Sequence, residues 1–146
     1  MRILIDADGC PVVKESVRIA KEHGLECVIV ADTAHRFESD YARVICVDQG
    51  ADSADLRIAN LCEKGDVVIT QDYGLAALCL GKNAFVLDQN GMEINAFNID
   101  SLLQSRYESK RLRNAGVRLK GPAKRKTQQT KDFIEALEQL IERNEV

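Results

Sequence analysis

The sequence predicts an α/β domain: a three-layer sandwich around a mainly parallel sheet of roughly five strands, with helices closing its C-terminal end. Three observations predict it. Short apolar runs without polar alternation, such as Ile3-Leu-Ile5 and Val67-Val-Ile69, read as strands buried on both faces, the pattern of parallel sheets. Stretches of helical period separate them, as right-handed crossovers require. Acids gather where the runs stop, and ligands of open α/β sheets bind at the carboxyl ends of the strands.

The first run, Ile3 to Ile5, stops at Asp6, and Asp8 follows two residues later. Two carboxylates there are costly to desolvate unless something positive sits between them. A divalent cation such as Mg²⁺ or Mn²⁺ would satisfy them, since both favour carboxylate oxygens. The same pair also reads as turn and capping residues before Pro11. Gly9 loosens the turn, Pro11 fits a first helical turn, and Val12, Val13, Val17, Ile19 and Ala20 give an apolar stripe that ends near Gly24. His23 is expected to complement the helix dipole and to have no chemical role.

Cys27 to Ala31 reads as a second strand, ending in the polar loop Asp32-Thr-Ala-His-Arg36, where His35 and Arg36 are candidate substrate contacts. Val44 to Val47 is a third. Asp52 can cap the helix through Leu56, Ile58, Ala59 and Leu61, with Asp55 one turn inside. Both also read as first-turn acids favoured by the dipole. Asp66 to Thr70 is a fourth strand, followed by Asp72 and a helix from Gly74 to Gly81. Ala84 to Leu87 is a fifth, and Asn90-Gly91 offers a tight hairpin into a short strand at Met92 to Ile94. Ile99, Leu102, Leu103 and Tyr107 begin a long helix that turns basic at Arg106. Gly116, Gly121 and Pro122 break the chain, and mobility is expected over 116–130. Phe133, Ile134, Leu137, Leu140 and Ile141 form an amphipathic C-terminal helix.

At 146 residues, with 45% apolar and 29% charged residues, the chain reads as one soluble domain spanning 1–146. No run approaches the roughly 18 apolar residues of a membrane span. The first strand starts too early to leave room for a signal peptide, so a cytoplasmic protein is expected. The five cysteines agree, being odd in number and without a C-x-x-C pair. Cys27, Cys46, Cys62 and Cys79 read as small buried hydrophobes, and Cys10 as a more exposed loop residue. The net charge of −3 is unevenly spread. Nine of the 20 Lys and Arg and one of the 23 acids lie in 106–126, giving that segment +8 and the remainder −11. An acidic body with a basic arm over 106–130 suits a metal-binding site with a separate phosphate grip, in which Arg111, Arg113, Lys124 and Arg125 are the candidate contacts. The arm equally reads as solvated surface.

The acids Asp6, Asp8, Asp32, Asp66 and Asp72 at strand ends, with Asp52 and Asp55 at a helix start, form a constellation. Like charges meeting at one edge repel unless a cation intervenes. Two metal ions about 3.5–4 Å apart can activate water and stabilise the leaving oxygen of a phosphodiester, a chemistry needing carboxylates and no special nucleophile. Asp6-Ala-Asp-Gly-Cys-Pro-Val12, Gly50-Ala-Asp-Ser-Ala-Asp55, Gly65-Asp-Val-Val-Ile-Thr-Gln-Asp72 with Leu75-Ala76, and Lys120-Gly-Pro122 resemble the bacterial YaiI/YqxD family, in order and over nearly the whole chain. That family lacks an established activity and is placed with PIN-like nuclease domains, which bind Mg²⁺ or Mn²⁺ through strand-end acids and cut RNA. The resemblance implies that Asp6 is the first-strand acid, Asp55 or Asp52 the helix acid, Asp72 the acid after the fourth strand, and Asp8 the family's own second acid. It implies one or two Mg²⁺ or Mn²⁺ ions on these residues, with Thr70 beside the substrate and RNA as partner. A homodimer stays open. Ser53 replaces a commoner Ala, and Lys120 stands where a Gly is expected.

Two other readings stand beside the nuclease. Ile5-Asp-Ala-Asp-Gly9 imitates the first motif of haloacid-dehalogenase-like phosphatases, whose first Asp is a nucleophile. Cys10-Pro11 departs from that motif, and the chain has no cap domain. The third reading is a module that binds metal and RNA without turnover.

Overall fold

The computed structural model describes residues 1–32, 37–48, 53–121 and 123–145. Six strands form one sheet: β1 (Arg2–Asp6), β2 (Glu26–Asp32), β3 (Arg43–Val47), β4 (Val67–Ile69), β5 (Phe85–Leu87) and β6 (Glu93–Ile94). Their order is β3-β2-β1-β4-β5-β6; the first five run parallel and β6 is antiparallel to β5. The expected parallel strands are all present, and the short hairpin strand adds a sixth. The turn into it is wider than a tight hairpin. Asp88 Oδ1 accepts from the N–H groups of both Asn90 (2.8 Å) and Met92 (2.9 Å), and Gly91 takes a φ of +90° there.

Alternation along the strands builds two cores. Ile3, Ile5, Ile29 and Ile69 face one side, with α1 (Val13–Glu22) and α5 (Thr127–Asn144). Leu4, Val28, Val30 and Val68 face the other, with α2 (Ala54–Leu61), α3 (Tyr73–Gly81) and the first turn of α4 (Ile99–Asn114). Both faces of β1 are therefore covered, which is why its sequence shows no polar alternation. On α5 the buried residues Phe133, Leu137, Leu140 and Ile141 recur at helical spacing. His23 is the residue after the last turn of α1, as expected.

Two strand-level expectations fail. Cys46 is exposed, because β3 is an edge strand with part of its surface uncovered. Asp66 precedes β4 and so lies at the amino ends of the strands, away from Asp72. There it is 3% exposed and takes a bidentate pair from Arg2, with Nη2 at 2.7 Å and Nε at 3.2 Å. It is a scaffold acid and no part of the acidic edge. Among the described residues no helix is long and apolar enough to cross a membrane.

The connections decide where a site can form. The chain leaves β1 for β2 and β3 on one side, then crosses back to β4 on the other. The crevice between the carboxyl ends of β1 and β4 is thus the switch point, where neighbouring loops diverge and leave room for a ligand.

Candidate active site

Asp6 ends β1 at this switch point, and Thr70 and Asp72 follow β4 opposite it. Thr70 is 3% exposed, and its hydroxyl donates to Asp6 Oδ2 at 2.8 Å while accepting from the Asp72 N–H at 3.0 Å. The substrate contact expected of Thr70 gives way to positioning: its hydroxyl is spent locking the two acids together. Asp72 caps α3, accepting from the Leu75 N–H at 3.1 Å. Its short side chain makes it a good cap, yet the residue itself remains exposed.

Asp8 sits within a sharp turn from Ala7 to Cys10. Gly9 adopts a φ of +73°, a region that L side chains rarely enter, and Cys10 N donates back to Ala7 O at 3.0 Å. The turn directs Asp8 toward β2, where its Oδ2 accepts from the Asp32 N–H at 2.9 Å. Asp55 lies in the first turn of α2, whose N-cap is Ser53. Its Oδ1 accepts from Ser53 Oγ and from the Leu56 N–H at 2.9 Å. Asp52, His35 and Arg36 lie outside the described residues.

Asp6 is the electrostatic centre of the group. Burial is the largest cause pushing its carboxyl above the ordinary value of 3.8; the Thr70 hydrogen bond opposes this, and the charges of Asp72, Asp8 and Asp55 add to it. The charges of Asp72, Asp8 and Asp55 are thus felt at Asp6. Their side chains do not close around it: among the described residues no group of three or more His, Cys, Asp or Glu is placed to hold a metal ion. The donor set is all oxygen and carries up to four negative charges, which suits a hard divalent cation and no soft one. A small cavity of about 40 Å³ lies between Asp6, Asp8, Thr70 and Gln89; Asp55 and Asp72 do not line it.

The basic segment divides into three. A cleft of about 570 Å³ separates residues 71–74 from α4, lined by Asp6 and Asp72 on one wall and by Leu103, Arg106, Tyr107 and Lys110 on the other. Arg106 lies over the Tyr73 ring, 5.0 Å from its centroid, and its Nη2 donates to Gln71 O at 3.4 Å. Arg111 and Arg113 are exposed on the last turn of α4 and do not line this cleft, and Lys124 is exposed beyond it. Arg125 is no free arm residue. Its guanidinium donates to Asn90 Oδ1 (2.7 Å), Gln89 O (2.8 Å) and Thr130 Oγ1 (3.3 Å), tying the segment to the β5–β6 turn. The expected mobile stretch is also shorter at its end, because α5 begins at Thr127. Arg106 and Lys110 were overlooked although a signal existed: 103, 106, 107 and 110 share one helix face.

A larger hollow of about 1060 Å³ lies between α1 and residues 37–41, and none of the four acids lines it.

Residues 4–143 match the family model described as "Uncharacterized BCR, YaiI/YqxD family". A UPF0178 protein of Natranaerobius thermophilus is 45% identical over 97% of this chain and 96% of its own length. One from Enterococcus faecalis is 43% identical over 99% of each chain. Among solved structures, a Rae1 (YacP) mutant from Bacillus subtilis aligns with a TM-score of 0.48 at 16% identity, covering 80% of this chain and 84% of that one.

Proposed function

The chain belongs to the YaiI/YqxD family, and we propose that it is a divalent-metal-dependent nuclease of PIN-like type, cutting RNA. The observation that carries this reading is the pair Asp6 and Asp72, joined through the Thr70 hydroxyl at the switch point of the sheet, with the charges of Asp8 and Asp55 felt at Asp6. Like charges near one another repel unless a cation intervenes, and the oxygen donor set fits Mg²⁺ or Mn²⁺. Asp6, Asp8, Asp55 and Asp72 would hold the ion. Bound there, it would supply a lowered pKa for water and charge neutralisation at the leaving oxygen.

The chain's own groups do the positioning. Thr70 fixes one oxygen of Asp6, the α3 N-terminus fixes one oxygen of Asp72, and the Asp32 N–H fixes one oxygen of Asp8. These bonds hold each carboxylate in its orientation. Arg106 and Lys110, across the cleft, present positive charge to the phosphates of a bound strand.

The test is single-turnover cleavage of labelled single-stranded RNA with Mn²⁺ or with EDTA. Asp72→Asn is the informative variant, because Asn caps a helix as well as Asp and keeps the fold. Mn²⁺-dependent cleavage by the natural sequence, lost in Asp72→Asn with RNA binding retained, supports the reading. Metal and RNA binding without cleavage would make the protein a binding module. Turnover of a small phosphomonoester, abolished by Asp6→Asn, would favour the phosphatase.

A further inference from the structure

We infer that the cleft between residues 71–74 and α4 is a subsite for one unpaired nucleotide, so that the substrate class is single-stranded nucleic acid. The inference rests on the nuclease reading for its link to catalysis, but its own evidence is separate. Four residues of α4, Leu103, Arg106, Tyr107 and Lys110, follow the i, i+3, i+4, i+7 spacing that puts them on one helix face. That face combines two cations with one aromatic ring, and the first turn of α3 opposite supplies a second ring, Tyr73.

The groups are available. Tyr107 is 61% exposed. Among the described residues, neither Arg106 nor Lys110 forms an ion pair with Asp6 or Asp72, although all four line the same cleft. Arg106 already lies over Tyr73 and donates to the Gln71 carbonyl. A guanidinium carries five N–H donors, so this arrangement leaves most of them for an anion.

The chemistry of the walls selects the occupant. An acidic wall alone repels phosphate, and a basic helix alone attracts any polyanion. A cleft with a ring and cations on one side and carboxylates on the other fits a ligand with a π-face and a negative group a few ångströms apart. A nucleotide is that ligand: its base stacks on Tyr107, its phosphate meets Arg106 and Lys110, and the next phosphate faces Asp6 and Asp72. In a duplex the base faces are covered by their neighbours, so the ring can be used only by an unpaired base. Stacking of this kind tolerates any base, and little sequence preference is expected.

The experiment measures anisotropy of fluorescein-labelled oligo(U), free and annealed to oligo(A), at several salt concentrations in EDTA, with Mn²⁺-dependent cleavage followed in parallel. Tyr107→Ala should weaken oligo(U) binding roughly 5- to 150-fold and leave duplex binding unchanged, while Tyr107→Phe keeps it. Arg106→Ala should flatten the log–log salt slope by about 0.7 if it makes one phosphate contact. No oligo(U) binding by the natural sequence, or equal binding by it and Tyr107→Ala, overturns the subsite. Equal losses for single strand and duplex also overturn it. The two readings fail separately. Cleavage with unaltered Tyr107→Ala binding removes the subsite and keeps the nuclease; selective loss of oligo(U) binding without any cleavage does the reverse.

Discussion

Replacing Asp66 by Ala should cost far more stability than replacing any acid of the switch-point group, and should leave metal affinity alone. Asp66 is 3% exposed and accepts from four groups: Arg2 N (3.0 Å), Arg2 Nε (3.2 Å), Arg2 Nη2 (2.7 Å) and Glu63 N (3.0 Å). Removing one member of a buried ion pair costs about 3–5 kcal/mol, because the other charge is stranded. The Arg2 side chain is 20% exposed and keeps Leu61 O at 2.9 Å and Glu63 Oε2 at 3.7 Å, which places the cost near the lower bound. About 3 kcal/mol corresponds to a fall in Tm of about 10 °C for a chain of this length. The assay is urea unfolding with a fixed m-value, alongside calorimetric titration with Mn²⁺. The double variant Arg2→Leu, Asp66→Leu should lose less than the sum of the singles, since it strands no charge. A loss under about 0.5 kcal/mol in Asp66→Ala, the usual range for a surface change, would refute the reasoning, as would weakened Mn²⁺ binding at unchanged stability.

Asp6→Asn should raise Tm in EDTA at neutral pH. Its folded pKa lies above 3.8, so the native state favours the proton, and the ionised group lowers stability as pH rises through that folded value. The gain should therefore be largest at neutral pH and vanish below pH 3.8; a gain independent of pH would show another cause. Arg125→Ala should cost about 1–3 kcal/mol in urea unfolding through its bonds to the β5–β6 turn, with oligo(U) affinity unchanged; weakened binding at full stability would return it to the phosphate-gripping set. Gly91→Ala should cost about 2 kcal/mol or more by the same measurement, since φ is +90° and a Cβ would stand 2.7 Å from Asp132 O; near-neutral stability would mean that the turn can shift away from α5.

What the sequence revealed follows from where each signal is local. Buried parallel strands announce themselves as unalternating apolar runs, so β1, β2 and β4 were legible, and with them the carboxyl-end position of Asp6 and Asp72. Asp66 was misplaced by treating a residue before a strand as one at its end, although its position ahead of Val67 already fixed it to the amino side. Sheet order is not local. Only the sequence β3-β2-β1 makes β3 an edge, so the exposure of Cys46 could not be read from its apolar neighbours. Arg125 failed for a related reason, because its partner Asn90 lies 35 residues away and a charge run says nothing about such a contact.

The basic segment shows most clearly how a composition count can mislead about a site. Its charge is spread over a helix face, a helix end and a tether, and only the face points at the acids. Arg111 and Arg113 add to the total as much as Arg106 and Lys110, yet the latter pair stands opposite Asp6 and Asp72. Helical spacing from Leu103, which lines the cleft itself, picks out 106, 107 and 110. The cleft thus depends on two features at once. The switch point opens a gap beside β1 and β4, and α4 extends beyond its first, core-packed turn far enough to wall that gap with cations and a ring. Moving the basic residues by one position along α4 would keep the charge and lose the wall. Exchanging Lys110 with Ser109 is therefore a sharper probe than deleting charge, because net charge is constant and only the helix face changes. Weaker oligo(U) binding in that exchange would tie affinity to position. Unchanged binding would mean that the segment acts only as a diffuse positive field.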